Sequence, residues 1–209
     1  MPDDPRPSGA RPTDPFAGPH TPDRDRVASP VSGKAVEFVE TPTDPDSDPL
    51  LFEMWLAHDG HGPMLHVHPE QDEELEPLSG RLGVRIGSDT RVLTPGERVV
   101  VPADTPHRFW NAGDGRLHLR GGIWPGLRTE AFMRIVYGLP RDGEPATPSG
   151  MVLNPLRLSV LLEEYDDMLW LARVPPGLQR AGVRALAHLG RAAGYTNHYP
   201  EYLPDESGG

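Results

Sequence analysis

The chain has 209 residues, a formal charge of -11 at neutral pH and no cysteine. That length allows one sizeable core with added elements, or two small domains. The acidic balance argues against nucleic acid or an anionic membrane surface as partner, since both need a basic face. The missing cysteines exclude disulfides, thiolate metal sites and a cysteine nucleophile, and fit a cytoplasmic protein.

In chain order, residues 1–33 are rich in Pro, Asp and Arg and offer almost nothing to bury. Such a segment cannot offset its ordering entropy, so it is expected to be a disordered tail whose removal before Val31 leaves stability almost unchanged. It lacks the basic start and apolar run of a secretory signal. No apolar run approaches the length of a membrane span.

Residues 34–126 read as short apolar runs punctuated by Gly and Pro turns. "KAVEFVE" alternates, and "LLFEMWLAH" places Leu50, Phe52, Met54 and Leu56 on one face. "MLHVH", "EELEPL", "GRLGVRIG", "TRVL", "ERVVVP", "HRFWN" and "RLHLRGGIW" follow, with turns at "SG", "GSD", "TPGE", "ADTP" and "NAGDG". Many short strands without a helical period predict a mainly β sandwich or barrel.

Residues 127–209 change character. "RTEAFMRIVYGL" has helical spacing. "NPLRLSVLLEEYDDMLWLARV" starts a helix with Asn154 as N-cap and Pro155 in the first turn, and puts Leu158, Leu161, Leu162, Tyr165, Met168 and Leu169 on one face. "PPGLQRAGVRALAHLGRAAG" predicts a last helix closed by Gly194, with small residues for close packing. These helices brace the barrel or form a dimer contact, and the tail "YTNHYPEYLP" has no assigned role.

The chemistry concentrates in "GHGPMLHVHPEQDEELEPLSG", Gly60 to Gly80. His66 and His68 are two apart, so on a strand both imidazoles face one side. A turn after Pro69 would bring Glu73 back toward the same point. His107 supplies a third imidazole from "VPADTPHRFWN". Three neutral imidazoles and one carboxylate suit one divalent transition metal (Fe, Mn, Ni, Cu, Co or Zn) and leave coordination positions open.

This arrangement resembles the cupin superfamily. The first cupin motif runs Gly60, His66-Val67-His68, Glu73, Gly80, and the second runs Gly96, Pro102-Ala103-Asp104, His107, Asn111. Asp104 stands where glycine is usual, a substitution a left-handed turn tolerates. Pro77, which cannot donate to a ladder, belongs at an edge or a bulge. The resemblance implies a double-stranded β-helix (jelly-roll) barrel with a C-terminal helical extension. It also implies a metal site of His66, His68, Glu73 and His107, in which Glu73 either completes the coordination or detaches as a general base.

Other polar residues take plainer roles. Asn111 is expected to hold a turn, His58 and His61 to lie in loops at the barrel mouth, and His118, His188 and His198 to serve surface or packing. Phe52, Met54, Leu56, Met64, Leu75, Val84, Phe109, Trp110 and Trp124 would line an apolar interior, with Arg85 and Arg120 as candidates to meet an anionic group. The resemblance extends to single-domain bacterial cupins, including quercetinase-like dioxygenases and polyketide-pathway cupins. It implies a small-molecule enzyme and a homodimer. The leading expectation is a dioxygenase-type oxidoreductase acting on an aromatic or enolisable substrate. A non-redox cyclase or isomerase and a ligand-binding cupin without catalysis are the alternatives.

Overall fold

The computed structural model describes residues 26–29 and 31–204; residues 1–25 of the tail expected over 1–33 lie outside the described residues. Ten strands precede the first helix: β1 (Arg26–Ser29), β2 (Lys34–Glu40), β3 (Leu50–Leu56), β4 (His66–Val67), β5 (Asp72–Ser79), β6 (Leu82–Ile86), β7 (Asp89–Leu93), β8 (Val99–Val101), β9 (His107–Asn111) and β10 (Leu117–Trp124). Then come α1 (Thr129–Arg141), α2 (Pro155–Glu164), β11 (Trp170–Leu171) and α3 (Pro176–Ala192), with a 3-10 turn at Pro200–Tyr202.

Two antiparallel sheets face each other, one ordered β1-β2-β3-β10-β5-β8 and the other β11-β4-β9-β6-β7. This is the mainly β jelly-roll barrel with a helical C-terminal part that the sequence predicts. Alternation along β3 sends Phe52, Met54 and Leu56 into the core against Val36, Leu75, Val84 and Leu119, all fully or almost fully buried. Burying each such side chain contributes about 1.5–3 kcal/mol. Gly121 lies opposite Phe52 in β10, and a Cβ there would collide with the Phe52 ring.

The special positions fall where backbone chemistry requires. Asp104 has φ +59, the left-handed conformation that its motif position demands. Pro77 sits beside a β-bulge opposite Leu119, and β8 has already ended its pairing at Leu75. On the β8 side the missing proline N–H therefore breaks no ladder. Asn111 holds a turn: its side-chain amide donates to the Ala57 and Gly115 carbonyls and accepts from Gly113 N–H.

Two strands depart from the sequence reading. Arg26–Ser29, placed within the tail, pairs antiparallel with β2. Val27 packs against the core, and Ser29 is buried. The expected second helix stops at Glu164, and Trp170–Leu171 instead pairs with Val67 and His66 of β4. Asp166 and Asp167 oppose continuation, because carboxylates are unfavourable at a helix C-terminus, and β4 offers open pairing groups.

The remainder of the C-terminal part follows its expected chemistry. Asn154 caps α2, accepting from the N–H groups of Leu156 and Arg157. Gly194, at φ +90, ends α3. Gly190 lets α3 approach α2 closely, since a Cβ there would stand 2.7 Å from Val160 and 2.8 Å from the Leu156 carbonyl. A second core of Ile135, Leu139, Leu161, Tyr165 and Met168 joins α1 to α2, and Tyr199 of the C-terminal tail enters it. The tail therefore packs on its own chain.

The β1 pairing replaces the expectation of a dispensable segment before Val31. A chain starting at Val31 is expected to melt about 4–8 °C below one starting at Arg26, from a loss of roughly 2 kcal/mol of strand pairing and Val27 burial, read by differential scanning calorimetry.

Candidate metal centre

The barrel brings His66, His68, Glu73 and His107 into one cluster whose ligand atoms all lie within 4.8 Å of one another. All four residues are 1–7 % exposed. His66 and His107 are paired neighbours on β4 and β9. Glu73 points inward from β5, while Glu74 and Glu76 turn to the other face and pair with Arg98. Strand parity thus separates Glu73 from the surrounding acidic residues.

Each imidazole is fixed by a backbone carbonyl. Nδ1 of His66 donates to Met64 O at 2.8 Å, Nδ1 of His68 to Met168 O at 2.7 Å, and Nδ1 of His107 to Thr105 O at 2.8 Å. A carbonyl can only accept, so each Nδ1 carries the proton and each Nε2 is left with a lone pair. These are the outer partners that orient metal-binding histidines. The partner of His68 comes from the segment after α2, so the C-terminal part completes the site.

The free donor atoms converge. Nε2 of His66 and Nε2 of His68 are 3.1 Å apart, two lone pairs facing each other. Nε2 of His107 and Oε2 of Glu73 approach to 2.8 Å, yet neither atom has a partner of hydrogen-bonding geometry. Ligand atoms about 2.1 Å from one ion and at right angles to each other stand ~3 Å apart, which matches these separations. The donor set, its spacing and its unpartnered buried atoms fit a single divalent metal ion.

Electrostatics keep the donors ready. Burial, reinforced by the other two imidazoles, lowers the His66 pKa to about 3. Burial also lowers that of His68. Burial pushes Glu73 up, but contact with His107 and the two other imidazoles outweighs it and holds the carboxyl at about 2. Burial lowers His107, but its contact with Glu73 prevails and raises it. At neutral pH the cluster therefore presents neutral His66 and His68 beside a carboxylate.

A cavity of about 180 Å³ opens from His66, His68 and Glu73. Phe52, Met54, Met64 and Phe109 line it as the sequence predicts. Leu56, Leu75 and Val84 are buried in the core instead, and Trp110 and Trp124 do not reach the cavity. Arg85 donates to Gly87 O and Arg120 pairs with Glu53, both away from it. His58 and His61 lie in exposed loops outside the cavity, and His118 stacks on Trp55 and contacts Glu53.

Much of the lining comes from the C-terminal part: Phe132, Met133 and Val136 of α1, Met151 and Val152 of the following loop, and Leu162, Met168 and Leu171 further on. Sequence reasoning missed these residues because their spacing only marks an apolar helix face. It also missed Lys34, which shares a strand face with Val36 and Phe38; that alternation was the available signal.

The depressed pKa values give a pH dependence for the metal-free chain. Unfolded His66 takes up a proton near pH 6.5, and folded His66 does so only near pH 3. Its contribution to stability is present above pH 6.5 and is lost as pH falls. Glu73 acts in the same direction below pH 4.5. His107, being raised, contributes fully below pH 6.5 and loses that contribution at higher pH. The metal-free chain is expected to lose roughly 3 kcal/mol between pH 6.5 and pH 4 through His66. Urea melts of wild type and His66→Leu check this; equal losses in both would contradict it.

A family model described as a cupin domain matches residues 52–124. The chain is 30% identical over 156 residues to the probable oxidoreductase virH of Hypocrea virens (strain Gv29-8 / FGSC 10586), covering 68% of each protein. Similar solved structures include a cupin-2 domain protein from Rhodospirillum rubrum, at 20% identity over 54% of this chain and 78% of that one, TM-score 0.43. Another is a cupin-superfamily sugar phosphate isomerase from Silicibacter pomeroyi DSS-3, at 18% identity over 48% of this chain and 70% of that one, TM-score 0.41. With both motifs, the two facing sheets, the matching cupin-domain model and the 30% identical relative, the chain belongs to the cupin superfamily.

Proposed function

We propose that the chain is a metal-dependent oxidoreductase acting on a small aromatic or enolisable molecule, with dioxygenase-type chemistry. The observation that carries this reading is the buried three-histidine, one-glutamate cluster opening into a mainly apolar cavity. A relative named as a probable oxidoreductase supports the redox assignment. A divalent metal held by His66, His68, Glu73 and His107 would supply Lewis acidity, orientation of substrate oxygens and, where redox-active, an electron path.

The chain's own residues do the rest. The walls take an apolar body, because α1 and the segment through Leu171 add apolar side chains to those of the barrel. Water displaced by such a body would strengthen the electrostatic interactions around the cluster. All five methionines of the described residues, Met54, Met64, Met133, Met151 and Met168, line the cavity. Flexible thioethers adapt to planar and irregular ligands better than branched side chains do. Such walls offer few hydrogen-bonding groups to a sugar.

Glu73 serves first as a ligand, since its carboxyl stays ionised near neutral pH. A carboxylate with so low a pKa is a weak proton acceptor until it leaves the imidazoles. The test is oxygen consumption by chain loaded in turn with Fe, Mn, Ni or Cu, using flavonols and aryl 1,3-diketones. Uptake matching substrate loss is expected, with Glu73→Gln at least about 100-fold slower, equivalent to roughly 3 kcal/mol of barrier. Turnover of the same compounds without oxygen would overturn the oxygenase reading in favour of a cyclase or isomerase.

A further inference from the structure

Among the described residues that line the cavity, one charged group lies outside the cluster. Lys34 is 4 % exposed and lines the same space. Its ammonium donates to Ser149 O at 2.5 Å, and among the described residues no carboxylate pairs with it. An ammonium has three protons to donate, so two remain. A buried charge without a counter-charge is costly, and the described residues supply none.

The surroundings of Lys34 are polar and incompletely bonded. Ser29 lies directly opposite Lys34 in the β1–β2 ladder, so both side chains share a face. Oγ of Ser29 and Oγ of Ser32 are buried without a hydrogen-bond partner. Gly150 borders the same spot: a Cβ there would stand 3.4 Å from Ser32 Oγ and 3.8 Å from Lys34 Nζ. Its φ of +87 also favours glycine, so the chain leaves room beside the ammonium. Burial lowers the Lys34 pKa to about 8, which still leaves the group mostly charged at neutral pH.

Lys34 and the histidine cluster occupy different levels of the barrel. Glu73 is opposite Ile123, which pairs with Leu50 at the start of β3. Lys34 pairs with Leu56 at the end of β3. The cavity that joins them is therefore extended along the strands.

We propose that Lys34, with Ser32 beside it, is an anion-anchoring subsite, so that the cavity takes an elongated, mainly apolar acid whose carboxylate or phenolate meets Lys34 while its other end lies at the histidine cluster. This rests on the reading of the cavity as the substrate site. It narrows the substrate from aromatic or enolisable molecules in general to those carrying a remote acidic group. The ammonium acts by pairing with that group, and the Ser32 hydroxyl donates to it.

The test compares 3-phenylpropionate and 5-phenylpentanoate with their primary amides by isothermal titration calorimetry, on the full chain loaded with Zn and after dialysis against EDTA. The expected result is acid binding at least tenfold tighter than amide binding in both preparations. Lys34→Gln keeps a donor for the Ser149 carbonyl but removes the charge; it is expected to abolish the preference and leave amide affinity within twofold. Ser32→Ala is expected to weaken the acid several-fold and leave the amide unchanged.

Equal affinities of acid and amide in wild type would overturn the inference. Equal loss of both ligands in Lys34→Gln, with the acid preference intact in Ser32→Ala, would reduce Lys34 to a strut for the 149–152 loop and also overturn it. A preference that survives Lys34→Gln but disappears on chelation would place the acid on the metal, ending this inference while leaving the metal site intact. A chain that binds no metal but keeps a Lys34-dependent preference would remove the proposed oxidoreductase and leave the subsite standing.

Discussion

The site depends on where three imidazole protons go. Met64, Thr105 and Met168 each offer a backbone carbonyl to one Nδ1–H, and that choice turns three Nε2 lone pairs toward one point. Two of those carbonyls are local, two residues before their own histidine. The third arrives from the far end of the chain, brought by the pairing of Trp170–Leu171 with β4. The barrel supplies the donors, and the C-terminal segment fixes the last of them in place.

That dependence ties the helical part to the chemistry. α1 runs directly from the end of β10, and its cavity-facing residues Met133 and Val136 close the space that Phe52 and Phe109 open. The same helix turns Ile135 and Leu139 toward α2, so one element lines the cavity and anchors the second core. Arg134 is buried between these tasks, paired with Glu130 and lying over the Phe38 ring at 4.5 Å. The cavity is thus bounded partly by packing that also stabilises the fold and partly by the 149–152 loop.

The barrel strands from β2 to β10 were legible because alternation and turn chemistry are local signals, and the cluster was legible because motif intervals fix strand parity. His66 with His68, and Glu73 among its acidic neighbours, needed only that parity. β1 and β11 were not legible. "RVAS" and "WL" carry no pattern of their own and become strands only because β2 and β4 offer them open ladder groups. Lys34 escaped notice for a related reason: a lysine at the start of a strand reads as exposed until the 149–152 loop is seen to cover it. Arg85 and Arg120 were the sequence's candidates to meet an anion, but neither lines the cavity.

The measurement that bears most directly on the central claim is elemental analysis of untagged protein purified without oxygen, for wild type and His107→Ala side by side. About one equivalent of Fe, Mn, Ni or Cu per wild-type chain, falling to about a tenth or less in a folded His107→Ala chain, is the expected result. No metal in either protein, even after incubation with those ions, or equal metal in both, would contradict a metal centre built on these four side chains.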